Sequence, residues 1–196
     1  EAGLVRLNLE TGAQDRVAAA GSPATRSDDG RADRQGGFWF GTMGKRAEKG
    51  AGAIWRWYKN ELRLLFPGIS IPNSICFAPD GRAAHFSDTV KGQVMKVALD
   101  AEGWPVGAPQ VWLDLTGEGL NPDGAVIDAR GIFWNAQWGA GRVAAYAQDG
   151  SFLRAVETPG APQSSCPAFG GPEMKILFVT TALEHMDAAA RAAYPA

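Results

Sequence analysis

The sequence predicts an all-β fold, a β-propeller with an incomplete set of about four blades, and three observations carry that prediction. A strand–turn–strand motif recurs so that its central aromatic residues are 47, 48 and 44 residues apart. A second set of strands, each opened by Gly, interleaves with the first set. The 196 residues include 25 Gly and 7 Trp, which is typical of short strands that are separated by turns and packed in layers.

The first motif consists of a short strand, a turn that contains Gly, and a second strand with an aromatic residue near its centre. Its three clear copies and one looser copy cover residues 27–39, 73–86, 122–134 and 166–179. The central aromatic residues are Trp39, Phe86, Trp134 and Phe178. Recurrence of one such unit at this period indicates a repeat architecture.

The second motif opens with Gly and then alternates apolar with polar residues, which is the pattern of a half-buried strand. Its copies cover residues 3–7, 52–56, 92–96 and 141–145. A turn and a further strand follow in three cases, at residues 61–65, 110–113 and 151–156. Four strands per repeat describe one propeller blade. A parallel β-helix would need shorter repeats, and the Leu/Asn ladder of leucine-rich repeats is missing.

We expect residues 1–196 to form a single domain, a partial propeller. The repeats supply the outer strands of one blade, three fuller blades and a tail. We therefore expect N-terminal and C-terminal blades to be missing from this sequence. The Ala-rich stretch at 184–194 is expected to be a loop or a short helix.

Charge and composition limit the partners and the location that the sequence allows. The formal net charge is −2, with no basic stripe, so we expect no nucleic-acid partner. No apolar run approaches the roughly 18 residues of a membrane span, and no signal peptide is visible, so we expect no membrane partner. The two cysteines, Cys76 and Cys166, are expected to stay unpaired in a cytoplasmic protein.

Short oxygen-bearing side chains recur at the start of the first strand of each predicted blade. Counted back from the aromatic residues by 11 or 13 positions, these are Asp28, Asn73, Asp123 and Ser165. The first strands line the channel of a propeller, so their starts converge although they are far apart in sequence. Carboxylate and amide oxygens suit Ca²⁺, Mg²⁺, Mn²⁺ or a catalytic Zn²⁺.

A structural role for these residues remains open, because Asp and Asn also form Asx-turns before strands. Three further acidic residues precede Gly in turn-like settings and are expected to be turn residues: Asp29, Asp80 and Asp149.

Four groups of residues occur in an order and spacing that resemble one known family. They are Arg-Ser-Asp-Asp-Gly-Arg with Phe-Trp-Phe-Gly-Thr-Met (26–43), Ile-Pro-Asn-Ser-Ile-Cys-Phe (71–77), Asn-Pro-Asp-Gly (121–124), and residues 138–143 with 166–171. The chain resembles, from about residue 26 to residue 183, the gluconolactonase / regucalcin (senescence marker protein) / luciferin-regenerating family of six-bladed propellers.

The resemblance implies roles for four residues. Asn73 matches a metal-binding Asn, and Asp123 matches a metal-binding Asp that also serves as general acid/base. Arg26 matches a substrate-binding Arg. Asp28 stands where the family usually has an Asn that contacts substrate or metal, and we assign it to substrate binding. The resemblance also implies a Glu ligand in an early blade, to which no residue here corresponds.

The implied activity is metal-dependent hydrolysis of a sugar lactone to the aldonic acid, with one divalent ion (Ca, Zn, Mg or Mn). Asp123 would handle the proton, and Arg26 would hold sugar hydroxyls or the developing carboxylate. The sequence has no Gly-x-Ser-x-Gly motif, which disfavours a serine hydrolase. A calcium-binding propeller without turnover and an inactive fragment are the alternatives, and a substrate-binding pair (Arg26 and Asp28) favours the enzyme.

Overall fold

A computed structural model describes residues 3–194, and the ends of the predicted domain, residues 1–2 and 195–196, lie outside the described residues. The described chain is built from antiparallel sheets with strands in sequence order. The first sheet pairs two strands, β1 (Leu4–Leu7) and β2 (Gln14–Ala18). The second has four strands, β3 (Thr25–Ala32), β4 (Phe38–Gly44), β5 (Gly52–Tyr58) and β6 (Glu61–Ile69).

The remaining sheets repeat the same up-and-down order. The third sheet contains β7 (Pro72–Phe77), β8 (Ala83–Asp88), β9 (Gln93–Leu99) and β10 (Pro105–Asp114). The fourth contains β11 (Asn121–Ile127), β12 (Phe133–Trp138), β13 (Arg142–Tyr146) and β14 (Phe152–Glu157). The last pairs β15 (Ser164–Gly170) with β16 (Ile176–Thr181). This order confirms the predicted all-β fold and its three complete blades.

The first strands of successive sheets contact one another. β3 lies against β7, β7 against β11, and β11 against β15. Residues that occupy equivalent positions in these strands are therefore brought to one inner surface, as expected for strands around a propeller channel.

The aromatic residues of the repeat lie on the second strands. Trp39, Phe86 and Trp134 fill the space between neighbouring sheets, whereas Phe178 is exposed. Trp39 is fully buried with Ile75 and Phe86 in the core between the second and third sheets. Phe133 belongs to the core between the third and fourth sheets, and Trp134 to the core between the fourth and fifth. Burial of such large rings is the main driving force that holds the sheets face to face.

A buried ion pair lies within the second sheet, and its arginine also bonds to the third sheet. The Arg56 Nε donates to Asp33 Oδ2 over 2.7 Å, and both side chains are 0% exposed. The Arg56 Nη2 donates to the backbone oxygen of Glu102 in the neighbouring sheet's β9–β10 turn, over 2.7 Å. The guanidinium also lies 4.3 Å from the ring centroids of both Tyr58 and Trp104.

The turn predictions are confirmed for two acidic residues and wrong for Asp29. Asp80 and Asp149 accept hydrogen bonds from backbone amides two residues later, as in Asx-turns. Asp29 lies instead within β3, and the tight turn falls at Asp33–Gly37. The Asp29 carboxylate accepts the Ile75 amide over 2.8 Å, so it bridges two sheets rather than closing a turn.

Two smaller expectations are also confirmed. The Ala-rich stretch contains a short helix, α1 (Ala188–Ala193), whose first turn is capped by the Asp187 side chain. Cys76 and Cys166 are unpaired. Among the described residues, no helix is long and apolar enough to cross a membrane.

Candidate functional site

A β-bulge interrupts each of the four first strands at or beside its predicted site residue. The pairing register shifts between Ser27 and Gly30, Asn73 and Cys76, Pro122 and Ala125, and Ser164 and Cys166. A bulge twists a strand locally and redirects side chains, and bulges are frequent beside active sites. Positions 28, 73, 123 and 165 therefore lie at equivalent places in their sheets, each at or beside a bulge.

Asn73 is buried, and its amide is oriented by a neighbouring hydroxyl. The Asn73 Nδ2 donates to Thr89 Oγ1 over 3.0 Å. The Thr89 hydroxyl in turn donates to the backbone oxygen of Pro122 over 2.7 Å. This chain of bonds links Asn73 to the residue before Asp123. Because the amide nitrogen is engaged, the Asn73 Oδ1 is the atom left to accept or coordinate.

The backbone of Asp123 is held by side chains that come from three strands. The Ser74 hydroxyl donates to the Asp123 carbonyl oxygen. The Asn135 Nδ2 donates to the same oxygen over 3.1 Å and to Ser74 Oγ over 3.2 Å. Ser87 also donates to Ser74 Oγ, over 3.1 Å. Because Ser74, Ser87 and Asn135 are fully buried, this network fixes the backbone position of Asp123.

Arg26 and Asp28 lie together on β3. The Arg26 Nη1 is 3.5 Å from Asp28 Oδ1, and the side chains are 46% and 17% exposed. The other carboxylate oxygen, Asp28 Oδ2, is buried and has no hydrogen-bond partner within residues 3–194. Arg26 is therefore accessible to a small molecule, whereas one oxygen of Asp28 still lacks a donor or a cation.

Burial disfavours the ionised form of the carboxyl groups of Asp28 and Asp123. Burial raises the pKa of Asp28 to about 6, against the opposing effect of Arg26. Burial raises the pKa of Asp123 to about 7, and the nearby charge of Asp28 raises it further, while the Gly124 amide opposes the shift. Two acids that share a partly desolvated site repel each other when both are charged.

These residues fit a divalent cation in chemistry, although the described part of the chain supplies an incomplete ligand set. The donors are the Asn73 amide oxygen and the Asp123 carboxylate, with the unpartnered Asp28 oxygen as a nearby acidic group, and hard oxygens of this kind suit Ca²⁺ or Mg²⁺. A cation here would offset the repulsion between the carboxylates. Within residues 3–194 there is no group of three or more His, Cys, Asp or Glu side chains that could hold a metal ion.

Four contributors to this site were not predicted from the sequence. Ser74, Thr89 and Asn135 position the predicted ligands, and Glu184 adds a negative charge that raises the pKa of both Asp28 and Asp123. A polar residue in the middle of the apolar β12 is a signal that could have identified Asn135. Glu184 follows β16 in a loop, where no pattern singles it out. The fourth predicted position, Ser165, bonds instead to Thr180 within its own sheet, over 2.8 Å.

Comparison with known proteins gives one consistent result. The family described as "SMP-30/Gluconolactonase/LRE-like region" matches residues 1–183. A protein of Rhizobium meliloti (strain 1021) named "Putative sugar lactone lactonase" is 47% identical over 174 residues, which cover 88% of this chain and 59% of that protein. The L-arabinolactonase of Azospirillum brasilense is 35% identical over 184 residues, 91% of this chain and 60% of that protein.

A solved structure agrees with these matches. The calcium-binding protein regucalcin from Agrobacterium tumefaciens strain C58 superposes with a TM-score of 0.95 at 45% identity, covering 98% of this chain and 66% of that chain. The present chain thus spans about 60% of the length of the curated relatives it matches.

Proposed function

Because the chain belongs to the SMP-30/gluconolactonase/LRE-like family, we propose that the protein hydrolyses a sugar lactone to the aldonic acid with one divalent metal ion. The observation that carries the proposal is the chain of hydrogen bonds from Asn73 through Thr89 to Pro122, the residue before Asp123. The charge of Asp28, which lies beside Arg26 on β3, acts on Asp123 at the same site. Relatives that are named lactonases for sugar substrates support the choice of substrate class.

Asp123 is the proposed proton-transfer residue. In the metal-free chain the pKa of Asp123 is about 7, so the group exchanges its proton near neutral pH. A bound cation would lower this pKa and favour the carboxylate, which is the form that accepts a proton. In the proposed reaction, the oxygen of water bonds to the lactone carbonyl carbon, and Asp123 takes the proton that the water loses. The bond between that carbon and the ring oxygen then breaks, and Asp123 returns the proton to the ring oxygen, which becomes a hydroxyl group.

The other residues hold reactants. Asn73 and Asp123 would bind the divalent ion, which would act as a Lewis acid toward the lactone carbonyl or the attacking water. Arg26 would bind sugar hydroxyls and the carboxylate of the product, since guanidinium groups pair well with carboxylates. Asp28 would accept hydrogen bonds from sugar hydroxyls. We also propose a cytoplasmic location, which the two free thiols support.

A calcium-binding propeller without turnover is the second candidate, and it is favoured by the calcium-binding protein among the structural neighbours. The two candidates differ in what Arg26 does. In an enzyme, Arg26→Gln should raise KM for a sugar lactone by about tenfold or more, which matches the loss of a charge-assisted hydrogen bond.

The experiment measures acid release from gluconolactone and arabinonolactone, with divalent metal added after chelation. Arg82→Gln is the matched control, because Arg82 is exposed in the turn between β7 and β8. Metal binding without any lactone hydrolysis by the unmodified protein would favour the non-catalytic candidate.

A further inference from the structure

A cavity of about 270 Å³ lies between the third and fourth sheets, away from Asn73 and Asp123. Its lining includes the turns that follow β7 and β11, at residues 78–80 and 129–131, whereas Asn73 and Asp123 lie in the first halves of those strands. Both surrounding sheets have all four strands, so the walls of this cavity are fully described.

One wall of the cavity is aromatic. The rings of Trp112 and Phe133 pack edge to face with centroids 5.1 Å apart. The His85 ring lies 4.8 Å from that of Trp112 and 5.8 Å from that of Phe133. The Trp112 Nε1 donates to the backbone oxygen of Gln148 over 3.0 Å, which fixes the indole across the two sheets. Trp112 and Ile127 are partly exposed and offer an apolar surface for a small flat molecule, whereas Phe133 is buried and supports the indole.

His85 and Lys96 supply the polar part of the wall. They are paired directly across β8 and β9, and therefore lie on the same face of the third sheet. His85 is 4% exposed, and its Nδ1 is buried without a hydrogen-bond partner among the described residues. Burial, and then the charge of Lys96, lowers the pKa of His85 to about 3, so the imidazole is neutral at physiological pH.

Two cationic side chains and one carboxylate line this cavity, namely Lys96, Arg130 and Asp80. Lys96 is half-buried and forms no ion pair with a carboxylate in the part of the chain that the structure describes. Arg130 lies 3.6 Å from Asp128 and is mostly exposed, while Asp80 accepts a bond within its own turn. The Lys96 ammonium, which has no carboxylate partner among the described residues, leaves a place for an acceptor that carries negative charge.

We propose that this cavity is a second ligand site, which binds a small aromatic carboxylate with its ring against Trp112 and Ile127 and its carboxylate on Lys96. The cavity volume falls just below the roughly 300 Å³ at which sites for larger ligands begin, so the ligand has a single ring. An open-chain sugar acid fits less well, because it has no flat ring that could pack against Trp112.

The test uses benzoate as the probe and histidine NMR as the readout, since the chain contains two histidines. His85 lines the cavity, whereas the side chain of His185 is 89% exposed elsewhere and serves as an internal reference. We expect benzoate to shift the His85 signal saturably and to leave the His185 signal unchanged. Equal shifts of both signals, or no saturation, would overturn the proposal.

Two comparison ligands and two variants separate the parts of the proposal. Benzyl alcohol lacks the charge and gluconate lacks the ring, and each should bind at least tenfold more weakly than benzoate. Lys96→Met should weaken benzoate binding about tenfold or more, as expected for a lost charge-assisted hydrogen bond. Lys49→Met, at an exposed position between β4 and β5, is the matched control and should have no effect. Unchanged affinity in Lys96→Met, or gluconate binding as tight as benzoate binding, would contradict the proposed ligand class.

Discussion

The Ser74 hydroxyl donates a hydrogen bond to the backbone carbonyl of Asp123 and thereby joins the bulges of two neighbouring blades. Ser74 is fully buried and has a φ of 58°, in the left-handed region that disfavours residues with a Cβ. This backbone conformation costs free energy, but it places the Ser74 hydroxyl within hydrogen-bonding distance of the Asp123 carbonyl oxygen. The relationship explains how residues 49 positions apart in sequence can act in one site.

The first prediction distinguishes two effects of Ser74 on the free energy of unfolding, that of its hydroxyl and that of its backbone conformation. Ser74→Ala should lower the free energy of unfolding by about 1–3 kcal/mol, because buried partners lose a hydrogen bond. Ser74→Gly loses the same bond but relieves the left-handed conformation, and should recover about 1 kcal/mol of that loss. Urea unfolding midpoints measure both effects. Identical midpoints for the two variants would mean that the positive φ carries no cost.

The second prediction concerns the charge of Asp28. Asp28→Asn removes a negative charge beside Asp123, so the pKa of Asp123 should fall below its value of about 7 in metal-free protein. NMR titration of labelled Asp carboxyl groups measures the shift. Asp149→Asn, in the exposed turn before β14, is the control and should leave the pKa of Asp123 unchanged. An unaltered pKa in Asp28→Asn would show that the charge of Asp28 does not contribute to the raised value.

The third prediction concerns the buried ion pair between Arg56 and Asp33. Arg56→Met should lower the free energy of unfolding by about 3–5 kcal/mol, because the carboxylate of Asp33 stays buried without its partner. The double variant Arg56→Met/Asp33→Asn should recover part of that loss, since no uncompensated charge remains. Chemical denaturation of the single and double variants gives both values. Equal loss in the two variants would assign the effect to packing against Tyr58 and Trp104.

The fourth prediction concerns the pH dependence of stability at His85. Burial lowers the pKa of His85 to about 3 in the folded chain, so at low pH the unfolded chain binds a proton that the folded chain does not. The free energy of unfolding is therefore highest above about pH 6.5 and decreases as the pH falls toward 3. His85→Phe keeps a ring against Trp112 and removes this loss. The difference in the free energy of unfolding between the variant and the unmodified chain should therefore favour the variant by about 2 kcal/mol more at pH 5 than at pH 8. Parallel stability–pH curves would contradict the assigned pKa.

Much of the fold was predictable because the propeller repeats one unit with local contacts. Alternation in the strands and the buried aromatic residues are set by neighbours along the chain, so Trp39, Phe86 and Trp134 marked the second strands correctly. Asp29 was assigned to a turn because Asp-Gly is a strong turn signal. The carboxylate instead bonds to Ile75 across a sheet boundary, and a contact of that range leaves no local pattern.

The site was predictable only as a set of equivalent positions. Repeat alignment identified Asp28, Asn73 and Asp123, but it gives no information on hydrogen bonds between blades. Ser74 and Thr89 act through such bonds, and the raised pKa of Asp123 depends on burial and on Asp28 from a strand far away in sequence. Tertiary packing therefore determines how these residues work together.

The most direct test of the proposed mechanism compares Asp123→Asn with Asn73→Ala in a lactone-hydrolysis assay across a metal titration. Asp123→Asn keeps an oxygen for the metal but removes the proton acceptor, so kcat should fall by about 10²–10⁴-fold while metal affinity falls less steeply. Asn73→Ala should weaken metal binding, and added metal should restore part of its activity. Full activity in Asp123→Asn, or equal activity with and without metal in all variants, would contradict the account.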